Sequence, residues 1–145
     1  MKTLVAAVVA LTVAATAHAA DFRSVGETAA ILYDAPSIKA KKRFILGRGY
    51  PVEVVVSVEG WTKIRDAGGE LAWIENKNLN ERRTVLVKPA LADVRASADD
   101  RAPLVFQAEQ NVVLDLNDLS GTGWARVTHR DGQSGYIKVT AVWGL

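Results

Sequence analysis

Cysteine is absent from this chain, and that absence excludes disulfides, a lipid anchor on an N-terminal cysteine, thiol catalysis and thiolate-bound metal together. The folded state must therefore rest on its apolar core. Histidine is nearly absent, with His18 and His129 the two present. A strong charge of either sign is missing too. The chain holds 18 Lys plus Arg against 16 Asp plus Glu, and a nucleic-acid binder would normally carry a clear basic excess. Only Lys41-Lys42-Arg43 forms a local basic run, and a run so short reads as a solvated loop.

Long hydrophobic stretches are confined to the N-terminus. Lys2 precedes an apolar, alanine-rich run over residues 4–15, followed by Ala17-His18-Ala19. The run falls short of the ~20 residues a bilayer-spanning helix needs and ends in a small-x-small signal. Residues 1–19 are therefore expected to be a signal peptide, cut after Ala19 or one residue later, giving a periplasmic or secreted protein without a membrane span. Asp21, Phe22 and Arg23 follow with no stop-transfer cluster. Lys2 would leave with the leader, so the mature chain would carry 17 basic against 16 acidic residues. It would be nearly neutral.

What the chain does contain is a repeat. Gly60-Trp61-Thr62-Lys63-Ile64, then Gly69, then Ala72-Trp73-Ile74 is echoed by Gly123-Trp124-Ala125-Arg126-Val127, Gly132 and Gly135-Tyr136-Ile137, each matched pair 63 residues apart. Each copy reads as a β-hairpin, with side chains alternating along the outgoing strand and a Gly-Gly or Asp-Gly turn before the return. Upstream stand β-branched segments expected to be core strands, Val52-Glu53-Val54-Val55-Val56 and Val112-Val113-Leu114. A further extended segment opens each copy, at residues 30–33 and 92–95, separated from the core strand by a long polar loop. The pattern predicts an all-β chain of two tandem small barrels with four or five strands each, over residues 20–80 and 81–145. Charge at Glu81-Arg82-Arg83 interrupts the β pattern between them, and Thr84-Val85-Leu86-Val87 resumes it as a strand. Residues 75–80 allow no more than a 3₁₀ turn.

Chemistry-bearing constellations are sparse. His129 sits beside Arg130 and Asp131 in a hairpin, no G-x-S-x-G elbow is present, and Asp99-Asp100, Asp115 and Asp118 read as solvated loops and turns. No His/Asp cluster has metal-ligand spacing. The expectation is a protein with no catalytic residue, metal site or cofactor.

The arrangement of extended opening, long loop, L-x-x-G (Leu46 and Gly49), V-x-V-V strand, G-W-x-K-I/V and G-x-x-A/G-W-I resembles bacterial SH3 domains. The likeness runs over about residues 31–79 and, more loosely, 94–143. Ile31-Leu32-Tyr33-Asp34-Ala35 also resembles the A-L-Y-D-Y opening of eukaryotic SH3 domains. That family grips polyproline on a floor of aromatic rings, of which this chain keeps Tyr33 and Trp61. Glu75-Asn76-Lys77-Asn78 replaces the closing P-S-N-Y, and Ala35 replaces the second opening tyrosine, so PxxP recognition is not expected. In the second repeat Arg95 falls roughly where Tyr33 does, while Trp124 is retained.

The resemblance implies a non-catalytic binding module, as with the bacterial SH3 domains attached to wall hydrolases. Its ligand would be cell-wall peptidoglycan or its peptides, with a partner protein of the envelope as the alternative. Tyr33, Trp61 and Trp124 are the candidate ligand-binding residues. Both tryptophans follow a glycine at the start of a strand, where a barrel's rim would present them. Trp73 and Tyr136 are expected to serve packing, and Trp143 to plug a barrel end.

Overall fold

The computed structural model describes residues 19–119 and 121–145. The expected leader thus lies outside the described residues up to position 18. The described chain is all β. Seven strands form the first sheet: β1 (Phe22–Val25), β2 (Ala30–Tyr33), β3 (Lys42–Leu46), β4 (Pro51–Val58), β5 (Trp61–Arg65), β6 (Leu71–Glu75) and β7 (Leu79–Asn80). Seven more form the second: β8 (Thr84–Val87), β9 (Leu91–Arg95), β10 (Leu104–Glu109), β11 (Val113–Leu119), β12 (Trp124–Thr128), β13 (Ser134–Lys138) and β14 (Val142–Trp143). Single 3₁₀ turns, Asn76–Asn78 and Val139–Ala141, precede β7 and β14.

Both sheets are antiparallel and follow one plan, β3-β2-β6-β5-β4-β1-β7 and β10-β9-β13-β12-β11-β8-β14. Period-two alternation explains the central strands. Along β5, Thr62 and Ile64 turn inward while Trp61, Lys63 and Arg65 stay half-exposed. Along β12, Ala125 and Val127 do the same. In both connecting turns the chain needs a left-handed residue, supplied by Gly69 (φ 88°) and Gly132 (φ 93°). Their amides donate to the carbonyls of Asp66 at 3.0 Å and His129 at 2.9 Å.

Each sheet closes over its own core. Leu32, Val52, Ile64 and Ile74 fill the first, and Val94, Leu114, Val127 and Ile137 the second. Val85 and Val87 of β8 belong to the second core, whereas the charged run 81–83 lies between the sheets.

Two expectations need amending. Each sheet has seven strands where four or five were expected, because β3 and β10 run through the supposed polar loops and β1, β7 and β14 add short pairings. The valine strand is also only partly a core strand: Val52 is fully buried, but Val55, Val56 and Val58 are exposed. A register shift between Val54 and Val56 breaks the alternation, and the far half of β4 leaves the core as the arm of a hairpin. The matching shift in β11 falls between Leu116 and Asp118, so Leu114 is buried and Leu119 exposed.

The repeats pack directly on each other. Thr84 Oγ1 donates to the Gly49 carbonyl at 2.6 Å, and Ser24 Oγ donates to the Arg82 carbonyl at 2.7 Å. Trp143 lies at the joint. Its ring meets Phe22 of the first repeat edge-on, with centroids 5.1 Å apart at 90°. Arg83 lies over the Phe22 ring at 5.7 Å and donates to the Gly144 carbonyl at 2.8 Å. First and last strands of the described fold thus meet across the joint.

Candidate functional site

Pairing register fixes which side chains share the outer face of each barrel. In the first repeat Tyr33 pairs with Trp73, Trp73 with Lys63, and Glu75 with Trp61. These five residues therefore occupy one patch across β2, β6 and β5. In the second, Arg95 pairs with Tyr136, Tyr136 with Arg126, and Lys138 with Trp124. The two patches correspond position by position.

Gly60 (φ 79°) and Gly123 (φ 86°) reverse the chain just before the tryptophans, which places both indoles at the start of their strands. Both rings are half-buried. Tyr33 is 7% exposed, and its ring meets Trp61 edge-on at 5.4 Å and 86°. Tyr33 therefore acts mainly as a wall that orients Trp61, offering little surface of its own. Trp73 is half-buried on the same face. Tyr33 and Trp61 are brought together, while Trp124 belongs to the other repeat's patch.

Around Trp124 the chemistry changes from aromatic to ionic. Lys138 Nζ stands 5.8 Å from the indole centroid and pairs with Asp100 at 2.8 Å. Arg95, in the place of Tyr33, donates to Asp93 at 2.8 Å and to the Ala102 carbonyl at 2.9 Å. Leu91, Asp93, Arg95, Asp100, Trp124 and Lys138 line a surface recess of about 320 Å³. Its mix of an indole face, cations and carboxylates suits a polar ligand with a flat apolar side, such as a sugar or a peptide. Sequence reading singled out Trp124 but not Arg95 and Lys138 as its neighbours, because the β9–β13 pairing that gathers them is not visible in a linear pattern.

His129 makes no catalytic arrangement. Its Nδ1 lies 3.0 Å from Asp131 Oδ1, its ring is 6.0 Å from that of Phe106, and among the described residues no serine hydroxyl bonds to it. Asp131 is held down to a pKa of about 2, first by the backbone amide and then by the side-chain amide of Gln133, with His129 contributing less. That is the chemistry of a capped turn. Among the described residues no three His, Cys, Asp or Glu side chains gather closely enough to hold a metal, and no helix is long and apolar enough to cross a membrane.

A family model described as bacterial SH3 domain matches the chain twice, over residues 26–81 and 88–144. Solved structures similar to the chain include NlpC2 and NlpC1 of Trichomonas vaginalis, each 18% identical, with TM-scores of 0.39 and 0.40. The matches cover 86% and 89% of this chain and 48% and 47% of those proteins. An NlpC/P60 family protein from Bacillus cereus is also 18% identical, with a TM-score of 0.39 over 84% of this chain and 55% of that one. The chain spans about half the length of these structures. No curated protein matches it.

Proposed function

Because the chain belongs to the bacterial SH3 domain family in both of its halves, we propose that it is an exported, non-catalytic binding protein whose ligand is cell-wall peptidoglycan or its peptides. The observation that carries this reading is the equivalent placing of Trp61 and Trp124. Each is half-exposed at the rim of its barrel, beside polar groups able to fix a sugar or peptide against the indole: Glu75 and Lys63 in one repeat, Lys138 and Arg95 in the other. An indole face offers apolar area to a sugar ring, and neighbouring hydrogen-bonding groups set its orientation. The leader read from residues 1–19 supports a periplasmic or secreted site of action.

Sedimentation with purified peptidoglycan tests the reading. The mature protein is expected in the pellet, and Trp61→Ala is expected to weaken retention about tenfold, equivalent to about 1.4 kcal/mol. Wild-type protein left wholly in the supernatant would sink the proposal. The packed joint between the repeats favours a second reading, a rigid surface for another envelope protein. Crosslinking in cells that recovers one defined protein, absent from wall fractions, would select it.

A further inference from the structure

A further cavity lies away from both tryptophan patches, in the cleft where the repeats meet. It measures about 740 Å³, within the roughly 300–1,000 Å³ typical of small-ligand sites. Neither repeat forms it alone. Val25, Gly26 and Gly49 of the first repeat face Val112 and Val113 of the second, giving an apolar floor. The walls are charged, and their charges can be accounted for pair by pair.

Three acids line the cleft, and each has its own partner. Glu27 pairs with Arg48 at 2.8 Å, Asp115 with Arg82, and Asp131 with His129 at 3.0 Å. Arg130 is left over: it lines the cleft and makes no ion pair or hydrogen bond within the described structure. Across the joint Asn80 also lines the cleft, its Oδ1 engaged by Ser24 Oγ at 2.5 Å and by the Arg82 amide at 3.1 Å. Its Nδ2 donates to no atom among the described residues. One unmatched guanidinium and one free amide donor, lining the same cleft, are complementary to a carboxylate. A guanidinium fork binds a carboxylate through two parallel hydrogen bonds.

We propose that the inter-repeat cleft binds a short peptide by its free terminal carboxylate, with Arg130 as the anchoring cation and Asn80 as the second donor. The ligand is a stem peptide cut from the wall. That source rests on the function proposed above, whereas the carboxylate site does not.

Titration of the full mature protein with three peptides, followed by amide chemical shifts, tests the site. The probes are a peptidoglycan stem tetrapeptide, the same peptide with its terminal carboxylate amidated, and a linear tetrapeptide of L-residues ending in a carboxylate. The free stem peptide is expected to shift Gly26, Val113 and Arg130. Amidation should weaken binding about tenfold or more, the scale of a lost charge-assisted pair. Arg130→Ala should match that loss, and Arg130→Lys should recover part of it. Arg130 is exposed in a turn, so neither substitution threatens the fold. Equal binding of the amidated peptide, an unchanged Arg130→Ala variant or no saturable binding overturns the site, and binding of the L-peptide alone overturns the wall as source. Stem peptide held at the Trp61 rim would shift amides other than these. Failure of the rim reading would instead appear as unaltered retention of Trp61→Ala on whole peptidoglycan.

Discussion

The two repeats share a core and differ at the rim. Inside, equivalent positions hold similar residues: Ala30 and Ala92, Leu32 and Val94, Ile64 and Val127, Ile74 and Ile137, all buried. On the outer patch Tyr33 is answered by Arg95 and Glu75 by Lys138, so the first repeat presents an aromatic corner and the second an ionic recess. The joint differs as well. Where the first repeat pairs Ser24 with Asn80, the second pairs Leu86 with Trp143. A close-packed interior tolerates few volume changes, whereas a rim exchanges residues at little cost in stability. The difference leaves two surfaces of unlike chemistry on one scaffold.

The largest expected effect tests whether the cores are as alike as they look. Gly135 occupies the position of Ala72, yet a Cβ there would lie 2.6 Å from the Arg95 carbonyl oxygen and 2.8 Å from Val94 Cγ1. Strands β9 and β13 therefore approach more closely than β2 and β6 can. Gly135→Ala should destabilise the protein by about 1–3 kcal/mol through overpacking, whereas Ala72→Gly should cost about 0.5–1 kcal/mol through chain entropy. Urea denaturation measures both. Equal, small losses would show that the second barrel relaxes freely and that the close approach is no constraint.

A smaller effect is expected at the joint. Replacing Trp143 by the residue at its counterpart position, Trp143→Asn, removes the edge-on contact with Phe22, worth about 0.5–1.5 kcal/mol beyond area burial. Wild-type protein is expected to unfold in one calorimetric transition because the repeats share this contact, the Thr84–Gly49 hydrogen bond and the Ser24–Arg82 hydrogen bond. The variant should show two transitions, with the first repeat melting apart from the second. A single transition in both proteins would mean that the polar contacts alone couple the barrels.

How much of this was legible in the residues depends on where the ordering force acts. The Gly-Trp hairpins were readable because alternation and turn glycines are local signals, and their 63-residue offset repeated them. Edge strands were not. In β3, Lys42 and Arg43 are exposed and Ile45 is 66% exposed, so Leu46 and half-buried Phe44 are all that face the core and the sequence looks like a basic loop. β1 hid for another reason: Ser24 is fully buried where an apolar residue would be expected, and its hydroxyl lies 2.5 Å from Asn80 Oδ1 and 2.7 Å from the Arg82 carbonyl. At the candidate site Trp61 and Trp124 could be named from their strand position. The company they keep could not, since Tyr33, Arg95 and Lys138 reach them only through long-range pairing, and the inter-repeat cleft depends on a docking geometry that no linear pattern encodes.

The smallest expected effect lies in the two turns, which share a backbone but not a cap. In the first, Asp66 Oδ1 accepts the Gly68 and Glu70 amides at 2.9 and 2.8 Å. In the second, His129 takes the place of Asp66, and Asp131 Oδ1 instead accepts the Gln133 amide at 2.9 Å. Because the folded pKa of Asp131 is depressed from 3.8 to about 2, its ionised form favours the folded turn. That contribution is complete above the unfolded value and disappears as pH falls from near 4 through about 2. The Gln133 amide shift should accordingly titrate with a midpoint near 2, and Asp131→Asn should abolish the step while leaving the Glu70 amide unaffected. A midpoint at or above 4 would mean that the carboxylate is not held by Gln133. The second turn, which places Arg130 at the cleft, would then lack the cap that sets its geometry, and the two hairpins would differ in order as well as in sequence.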